Sequence, residues 1–551
     1  MRYVQSNEKG IATLIALIMV GMLTLIGIAV MSTSDDEVTI TGNGLQETRA
    51  FYAAEAALES AAAKLHYLSD SAGGLTTIMP SGYGQINESN FTFETADLGP
   101  VEQRILDNGT LAGLHARVKS YEMKATAVNE VDGSTVQLSQ TFERALVPLF
   151  QFAVFYGNDL EIAPGPDMTL IGRVHSNGNL WLQANSSLNI DSYITASGNI
   201  LHGRKGPGGV SSGDVNIKDG SGNYISMKEG GTDWLDADDG HWYDSSIAKW
   251  NGRVQDSTHG QGPLELPLNS TDDPHKLIER ADGGNTDSYE ELATLKFIDG
   301  EAFELVGSTW NNVTADMNSK GIIRLDTFHD AREGEDVIST ELDIEKMYDE
   351  GYAPSNGVIY FADDNGGSGY PALRISNGEE LDDGLTIASE NPVYTKGDFN
   401  SVNKKPASIM GDAVTFLSDN FDDALSWGSK SARVATATTV NASFLTGNTE
   451  TTSTNYNGGL ENLPRFLEVW SGKSFTWRGS MVNLWNSVQA NGDWSGTYYS
   501  PPIRDWAYDT DLDDPNNLPP ESPVVRVFQR TGWKESDIGY TNLDYSDLAV
   551  D

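Results

Sequence analysis

The spacing of apolar positions changes character along this chain, and each change predicts a different element. Ile11 to Met31 is one uncharged, mostly apolar block between the polar stretch MRYVQSNEKG and the acidic cluster Asp35, Asp36 and Glu37. At about 1.5 Å per helical residue its roughly 21 residues reach about 31 Å, close to the hydrocarbon thickness of a bilayer. No later segment repeats this signal. Phe51, Ala54, Leu58, Ala61, Leu65 and Leu68 then recur at steps of three and four, one stripe of a helix, while Glu47, Arg49, Glu55, Glu59 and Lys64 occupy other faces. Such a stripe serves equally to pack the helix on its own domain or against sibling helices in an assembly. Gly42 and Gly44 each cost about 1 kcal/mol relative to Ala in a helix interior, so a kink or melted segment is expected there.

Period-two alternation follows. HARVKSYEMKATAV and STVQLSQTFERALV flank Asp132-Gly133 and predict a β-hairpin, which with the preceding helix makes a small α/β unit ending near Pro148. From Gln151 onward short apolar pairs are punctuated by Gly-Asn or Gly-Asp. Gly178-Asn179-Leu180 returns as Gly198-Asn199-Ile200 and then as Gly213-Asp214-Val215, with later copies at Gly397-Asp398-Phe399 and Gly411-Asp412-Ala413. Steps of about 20 residues suit one coil of a parallel β-helix, whereas an antiparallel sandwich spaces its strands at about 8–12. The expected fold is mainly β with a long N-terminal α-helix, a small α/β unit, and then a right-handed parallel β-helix. Residues 229–300, rich in Asp, Gly, His and Trp, read as a long insertion, and residues 326–356 carry a charged helical pattern around TELDIEKMYDEG.

Composition sharpens this picture. The 551 residues are long enough for two or three cores, and 56 glycines favour turn-rich β structure. With no cysteine, neither a disulfide nor a thiolate metal site exists. A formal charge of -43 excludes nucleic acid as a partner, since phosphate neutralisation needs an excess of Lys and Arg. Arg2 and Lys9 before the apolar block and three carboxylates after it predict a cytoplasmic N-terminus and a single pass through the inner membrane, with the C-terminal bulk outside the cytoplasm. A cleaved signal peptide is the alternative, but the block is long for one and no small-x-small cleavage site follows Met31.

The junction Lys9-Gly10-Ile11 resembles a prepilin peptidase site, which implies a leader at 1–10, Gly10 as its last residue and Ile11 as the mature N-terminus. GIATLIALIMVGMLTLIGIAVMSTS with TGNGLQETRAFYAAEAALESA resembles the N-terminal domain of PilX-type minor pilins, most specifically in Ala54 to Glu59. One departure stands out: Ile15 occupies the fifth mature position, where most pilins carry Glu. A carboxylate in lipid is costly without a partner, and a subunit lacking it loses a docking contact, which suits an initiating or tip-located subunit. Further on, QFAVFYGNDLEI, GRVHSNGNLWL, TIASENPVYTKGDFN, KKPASIMGDAVTFLSDNF and NLPRFLEVWSGKSFTWRGSMVNLW are similar to the passenger of large PilX-domain pilus proteins, and YYSPPIRDWAYDTDLDD with NLPPESPVVRVFQRTGW to that family's closing signature. The resulting division is helix 11–68, α/β region 69–150, passenger 151–500 and closing segment 501–551. The resemblance implies as partners the prepilin peptidase, other minor and major pilins and the inner-membrane pilus assembly platform, with the pilus or cell surface as destination.

Catalytic motifs are sparse: the eight histidines are scattered with no HExxH, and there is no P-loop. His175 sits in the turn Val174-His175-Ser176-Asn177 and reads as a polar rung. Asp509, Asp511, Asp513 and Asp514 place oxygens at near-alternate positions that could cradle Ca²⁺, although Asp514 and Pro520 stand where a calcium loop needs Gly and Glu. Asp236, Asp238 and Asp239 form a weaker cluster. Trp234, Trp242, Tyr243 and Trp250, and later Trp477, Trp485, Trp494, Tyr498 and Tyr499, supply rings for core packing or for stacking on surface glycans. The leading expectation is a non-enzymatic minor pilin that primes or caps a filament and displays an adhesive β-helix. The alternatives are a membrane-anchored β-helix enzyme acting on polysaccharide, for which Arg173, Arg204 and Lys205 are the nearby basic candidates, and a K-type secretion pseudopilin.

Overall fold

The computed structural model describes residues 8–537 except 108, 232, 269–271, 282–283, 366, 368 and 455, and of residues 8–12, 35–36, 39 and 536–537 the backbone only. Most of the expected leader, residues 1–7, therefore lies outside the described residues. The chain is mainly β with an N-terminal helix, its sheets are not closed, and it divides into two compact units.

The first unit comprises residues 1–102, 118–145 and 528–551. Its helix, Glu8–Asp70, runs unbroken for 63 residues, through Gly42 and Gly44 as well. The expected melted segment is not there, because opening a helix interior requires nucleating it again on the far side, which outweighs two glycine penalties. Thr48 Oγ1 also donates to Gly44 O at 2.7 Å across that stretch. From Ala50 onward one face is buried. Ala50, Ala53, Ala54, Ala57, Leu58, Ala61 and Leu65 pack against Phe91, Phe93, Tyr121, Met123, Leu138 and Phe142. The sheet beneath runs in the order Ser81–Ile86, Ser89–Asp97, His115–Asn129, Thr135–Pro148, Val524–Asp537. Large residues oppose small ones across it, Phe91 with Ala127 and Phe93 with Ala125, so the helix finds a surface without steps. The expected hairpin turns at Asp132-Gly133, with Gly133 at φ 75°. Its second strand is then joined by part of the C-terminal segment, where Phe528 stacks on Phe142 at 5.1 Å.

The second unit, residues 103–117 and 146–527, is built from short strands that visit three sheets in turn. Val154–Tyr156, Leu160–Ile162 and Met168–Leu170 make one circuit; Val174–Ser176, Leu180–Leu182 and Ser187–Ile190 make the next, each strand parallel to its predecessor. The Gly-Asn repeat has a mechanical cause. Asp159 Oδ1 accepts from Asn179 N and Asn179 Oδ1 accepts from Asn199 N, both at 2.8 Å and 20 residues apart. A Cβ on Gly178 would lie 2.4 Å from Asp159 Oδ1, and one on Gly198 2.3 Å from Asn179 Oδ1. The ladder of side-chain carbonyls occupies the space a side chain would need. Gly213-Asp214-Val215 is not a third copy of this rung: Val215 pairs with Leu188, in a different sheet.

The residues expected as an insertion, 229–300, are largely structural. Val254 pairs with Ile194 at one end of the twelve-stranded sheet, and Leu295–Ile298 pairs with Ile359–Ala362 towards the other. Between them the alternating run Leu264, Leu266, Leu268 is buried, Asn177 exchanges hydrogen bonds with Leu264, and Tyr360 donates to Ile278 O at 3.0 Å. This strap carries the chain from one end of the stack to the other. The later strands then return rung by rung until Met481–Asn483 pairs, in parallel, with Val154–Tyr156. Ser480 Oγ donates to Phe152 O across this seam, 328 residues away along the chain. Residues 326–356 also differ from expectation. Ile323–Asp330 and Glu335–Asp343 form an antiparallel pair, and only Ile344–Asp349 is helical, because Glu341 is drawn into a buried cluster with Arg374.

Candidate functional site

Two features of the structure lack partners that the rest of the fold supplies to comparable groups. The first is helical. Thr13–Ser34 is 22 residues of apolar helix with none of it buried by the chain itself. At about 1.5 Å per residue it is roughly 33 Å long. Leu17, Met19, Leu23, Leu25 and Met31 each expose more than half of their surface, whereas Ala54, Leu58, Ala61 and Leu65 on the same helix are sealed in the core. Phe51 and Leu68 are half-buried at the margin. The hydrophobic effect makes such a bare stretch stable only in lipid or among other apolar helices.

The second feature lies at the seam, where a cleft of about 330 Å³ opens between the first circuit and the last. Asp159, Glu161, Lys205, Glu450 and several asparagines line it. Lys205 Nζ lies 2.9 Å from Asp159 Oδ2 and 3.4 Å from Glu450 Oε1. Behind them Tyr456 donates to Glu161 Oε1 at 2.9 Å while Arg204 stacks over the Tyr456 ring. Burial raises the pKa of Glu461, whose Oε1 accepts from Ala163 N. The Tyr156 hydroxyl is buried with no hydrogen-bond partner among the described residues, and its pKa is pushed up by that burial and by Glu461.

Residues 9–59 match the family described as PilX N-terminal. The chain carries a PilX N-terminal domain. The matched segment contains the apolar helix Thr13–Ser34, which is consistent with a single-pass membrane anchor. The match covers the exposed segment and the first turns of the packed one, ending at Glu59, whose pKa is lowered by its hydrogen bond to Arg530. No curated protein matches the chain. Among solved structures it is similar to the competence-associated pilin ComZ from Thermus thermophilus, at 13% identity over 89% of this chain and 97% of that one, with a TM-score of 0.28.

Within the PilX N-terminal domain, Gly10 and Ile11 fall in the first turns of the helix. The other residues singled out from the sequence are placed as follows. Among the described residues no group of three or more His, Asp or Glu converges on a metal position. Asp509 and Asp511 both pair with Lys404, at 2.7 and 2.8 Å, Asp513 accepts from the Tyr508 hydroxyl, and Asp514 caps a short 3-10 turn. Asp509 and Asp511 share Lys404 while Asp513 and Asp514 meet other partners, so the four do not converge on one position, because the loop winds as two capped turns. Asp236 likewise accepts from the backbone N–H of His202 and Asp238. His175 is buried between Thr195 and Asn177, and burial lowers its pKa to about 4, so it is a neutral rung. Trp242, Trp250, Trp477 and Trp485 belong to the core, and Trp234 stacks on His202 at 3.5 Å. Of the basic candidates, Arg173 donates to the Thr110 and Ala112 carbonyls, and only Arg204 and Lys205 reach the cleft region. Tyr156, Asp159 and Glu450 carried no signal in the sequence, since the pairing of Met481–Asn483 with Val154–Tyr156 is what brings them together.

Proposed function

We propose that this protein is a minor pilin: it primes or caps a type IV pilus-like filament and displays a right-handed parallel β-helix outside the cell as an adhesive module, with no catalysis. The single observation that carries this reading is the division of one helix into a bare apolar half and a half locked onto its own sheet. The reading includes a cytoplasmic N-terminus, cleavage by prepilin peptidase between Gly10 and Ile11, delivery to the inner-membrane assembly platform and packing among minor and major pilins through residues 13–34. The packed stripe from Ala54 to Leu65 is spent on the chain's own core, so sibling helices have to meet the segment ahead of it. Three sheets visited in turn by parallel strands support the β-helix, and parallel crossovers favour the right hand. Ile15 in place of a carboxylate favours an initiating or capping place over a repeated one.

Intact-mass spectrometry and N-terminal peptide mapping of membrane-extracted protein test it. A mature chain beginning at Ile11 supports the reading, and a start beyond Ser34 refutes it. Cysteine-specific crosslinking between residue 18 or 25 and the helices of co-expressed pilins reports packing directly.

A further inference from the structure

We propose that the seam cleft is a binding site for a neutral hexose unit of a glycan, held through vicinal hydroxyls. It rests on the display-module reading above and supplies the ligand which that reading leaves open.

The first argument is a broken ladder. One circuit on, Gly178 N donates to Asn158 O at 3.2 Å and Asn179 N to Asp159 Oδ1 at 2.8 Å. Two circuits on, Gly198 N and Asn199 N repeat both bonds. At the seam the equivalent donors, Asn158 N and Asp159 N, have no partner among the described residues; the strand stacked there comes from a distant part of the chain, and its continuation brings Asn486 to the wall of the same cleft. Asn158 is exposed and Asp159 half-buried, so both donors are open to an acceptor from outside the chain. Tyr156 adds a second, independent signal. The residue lines the same cleft and is 2% exposed, and its buried hydroxyl has no partner among the described residues.

The remaining walls fix the chemistry. Asp159 and Glu450 offer acceptors, while Lys205 between them offers a donor. Two carboxylates against one ammonium disfavour an anion, and the ammonium stands where a metal ion would bridge those carboxylates. A sugar hydroxyl both donates and accepts, so a pair on adjacent carbons can meet a carboxylate and an N–H at once. A volume of about 330 Å³ lies at the small end of ligand pockets and suits one or two rings.

The test uses the full-length protein in a zwitterionic detergent without a sugar headgroup. Saturation-transfer NMR and calorimetry are run with glucose, galactose, mannose and N-acetylglucosamine, on the wild type, Tyr156→Phe and Glu450→Gln. The expected result is saturable binding of at least one sugar, weakened tenfold or more in both variants while the melting temperature is unchanged. Tyr156→Phe removes a hydroxyl that no protein group uses, so a purely structural tyrosine would leave binding as it was. The proposal is overturned by the absence of transfer to any of the four sugars, by binding that both variants leave intact, or by shortening of an oligosaccharide probe, which would mean catalysis. The mature N-terminus measured on the same preparation judges the pilin reading separately: a start at Ile11 with no sugar binding removes this site and leaves the minor pilin standing.

Discussion

Replacing Gly198 with alanine tests whether the side-chain ladder sets the circuit length. The new Cβ would lie 2.3 Å from Asn179 Oδ1, 2.9 Å from Asn179 N and 2.9 Å from Gly178 C, so neither a rotamer change nor a small backbone shift alone clears it. Moving the Asn179 side chain away breaks its 2.8 Å bond to Asn199 N and leaves that donor idle, at about 1–3 kcal/mol. Crowding the neighbouring circuit adds about 1–3 kcal/mol. The lower ends of the two ranges together give about 2 kcal/mol, or roughly 30-fold in a local opening equilibrium. Hydrogen exchange read by mass spectrometry over peptides containing Asn179 to Ile200 measures that opening directly. Gly209→Ala is the matched control: nothing lies within 4 Å of its Cβ, and its effect should stay within about 0.5 kcal/mol. Asn179→Ala in the Gly198→Ala background removes the nearest obstacle, so the double variant should cost less than the two single changes combined. Equal exchange rates in the Gly198 and Gly209 variants would refute the ladder as the reason for glycine.

Other consequences concern the core, pH and the anchor. Arg144 is fully buried, contacts Asp70 and His66 and donates to Gly74 O at 3.0 Å, so Arg144→Ala should cost about 3–5 kcal/mol in thermal unfolding by removing the guanidinium from this buried pair. His275 loses charge stability to burial, but the Asp412 carboxylate 3.7 Å from Nε2 and a hydrogen bond to Glu279 outweigh this and raise its pKa, with the Trp485 ring packed at its edge. Its contribution is complete below about pH 6.5 and is lost as pH rises through the folded value, so His275→Gln should flatten the stability curve above about 6.5 in urea titrations. Burial drives Glu468 up to about 7 against its bonds to Ser418, so its stabilising protonation fades as pH rises from about 4.5 through about 7, and Glu468→Gln should remove that slope. Ala57→Leu should destabilise the first unit by about 1–3 kcal/mol, while Ile18→Ala should leave its melting unchanged and weaken only membrane retention or pilin crosslinking.

Much of this was legible from period alone. The helix, the hairpin at Asp132-Gly133 and the Gly-Asn rungs at 178 and 198 all stand where the sequence pattern set them, because each depends on residues within one helical turn, one hairpin or one circuit. The misreadings share a cause. Leu264, Leu266 and Leu268 form a short buried alternation inside polar sequence, so composition hid a strap within an apparent insertion. TELD reads as helix by residue preference, yet Glu341 is strand because Arg374, from a neighbouring strand, draws it inward. Asp509 to Asp514 have the spacing of a calcium loop but not its winding.

The sequence by itself determined a membrane-length apolar rod, an alanine-rich packing face continuous with it, and a repeat of 20 residues enforced by glycines that yield their Cβ space to a neighbour's carbonyl. Tertiary structure alone decided that the last circuit stacks on the first, 328 residues apart, and so which backbone donors and which tyrosine are left without a partner. The physical reason is that a ladder bond is specified by what lies one rung away, and at the seam that neighbour is chosen by the path of the strap rather than by any local pattern.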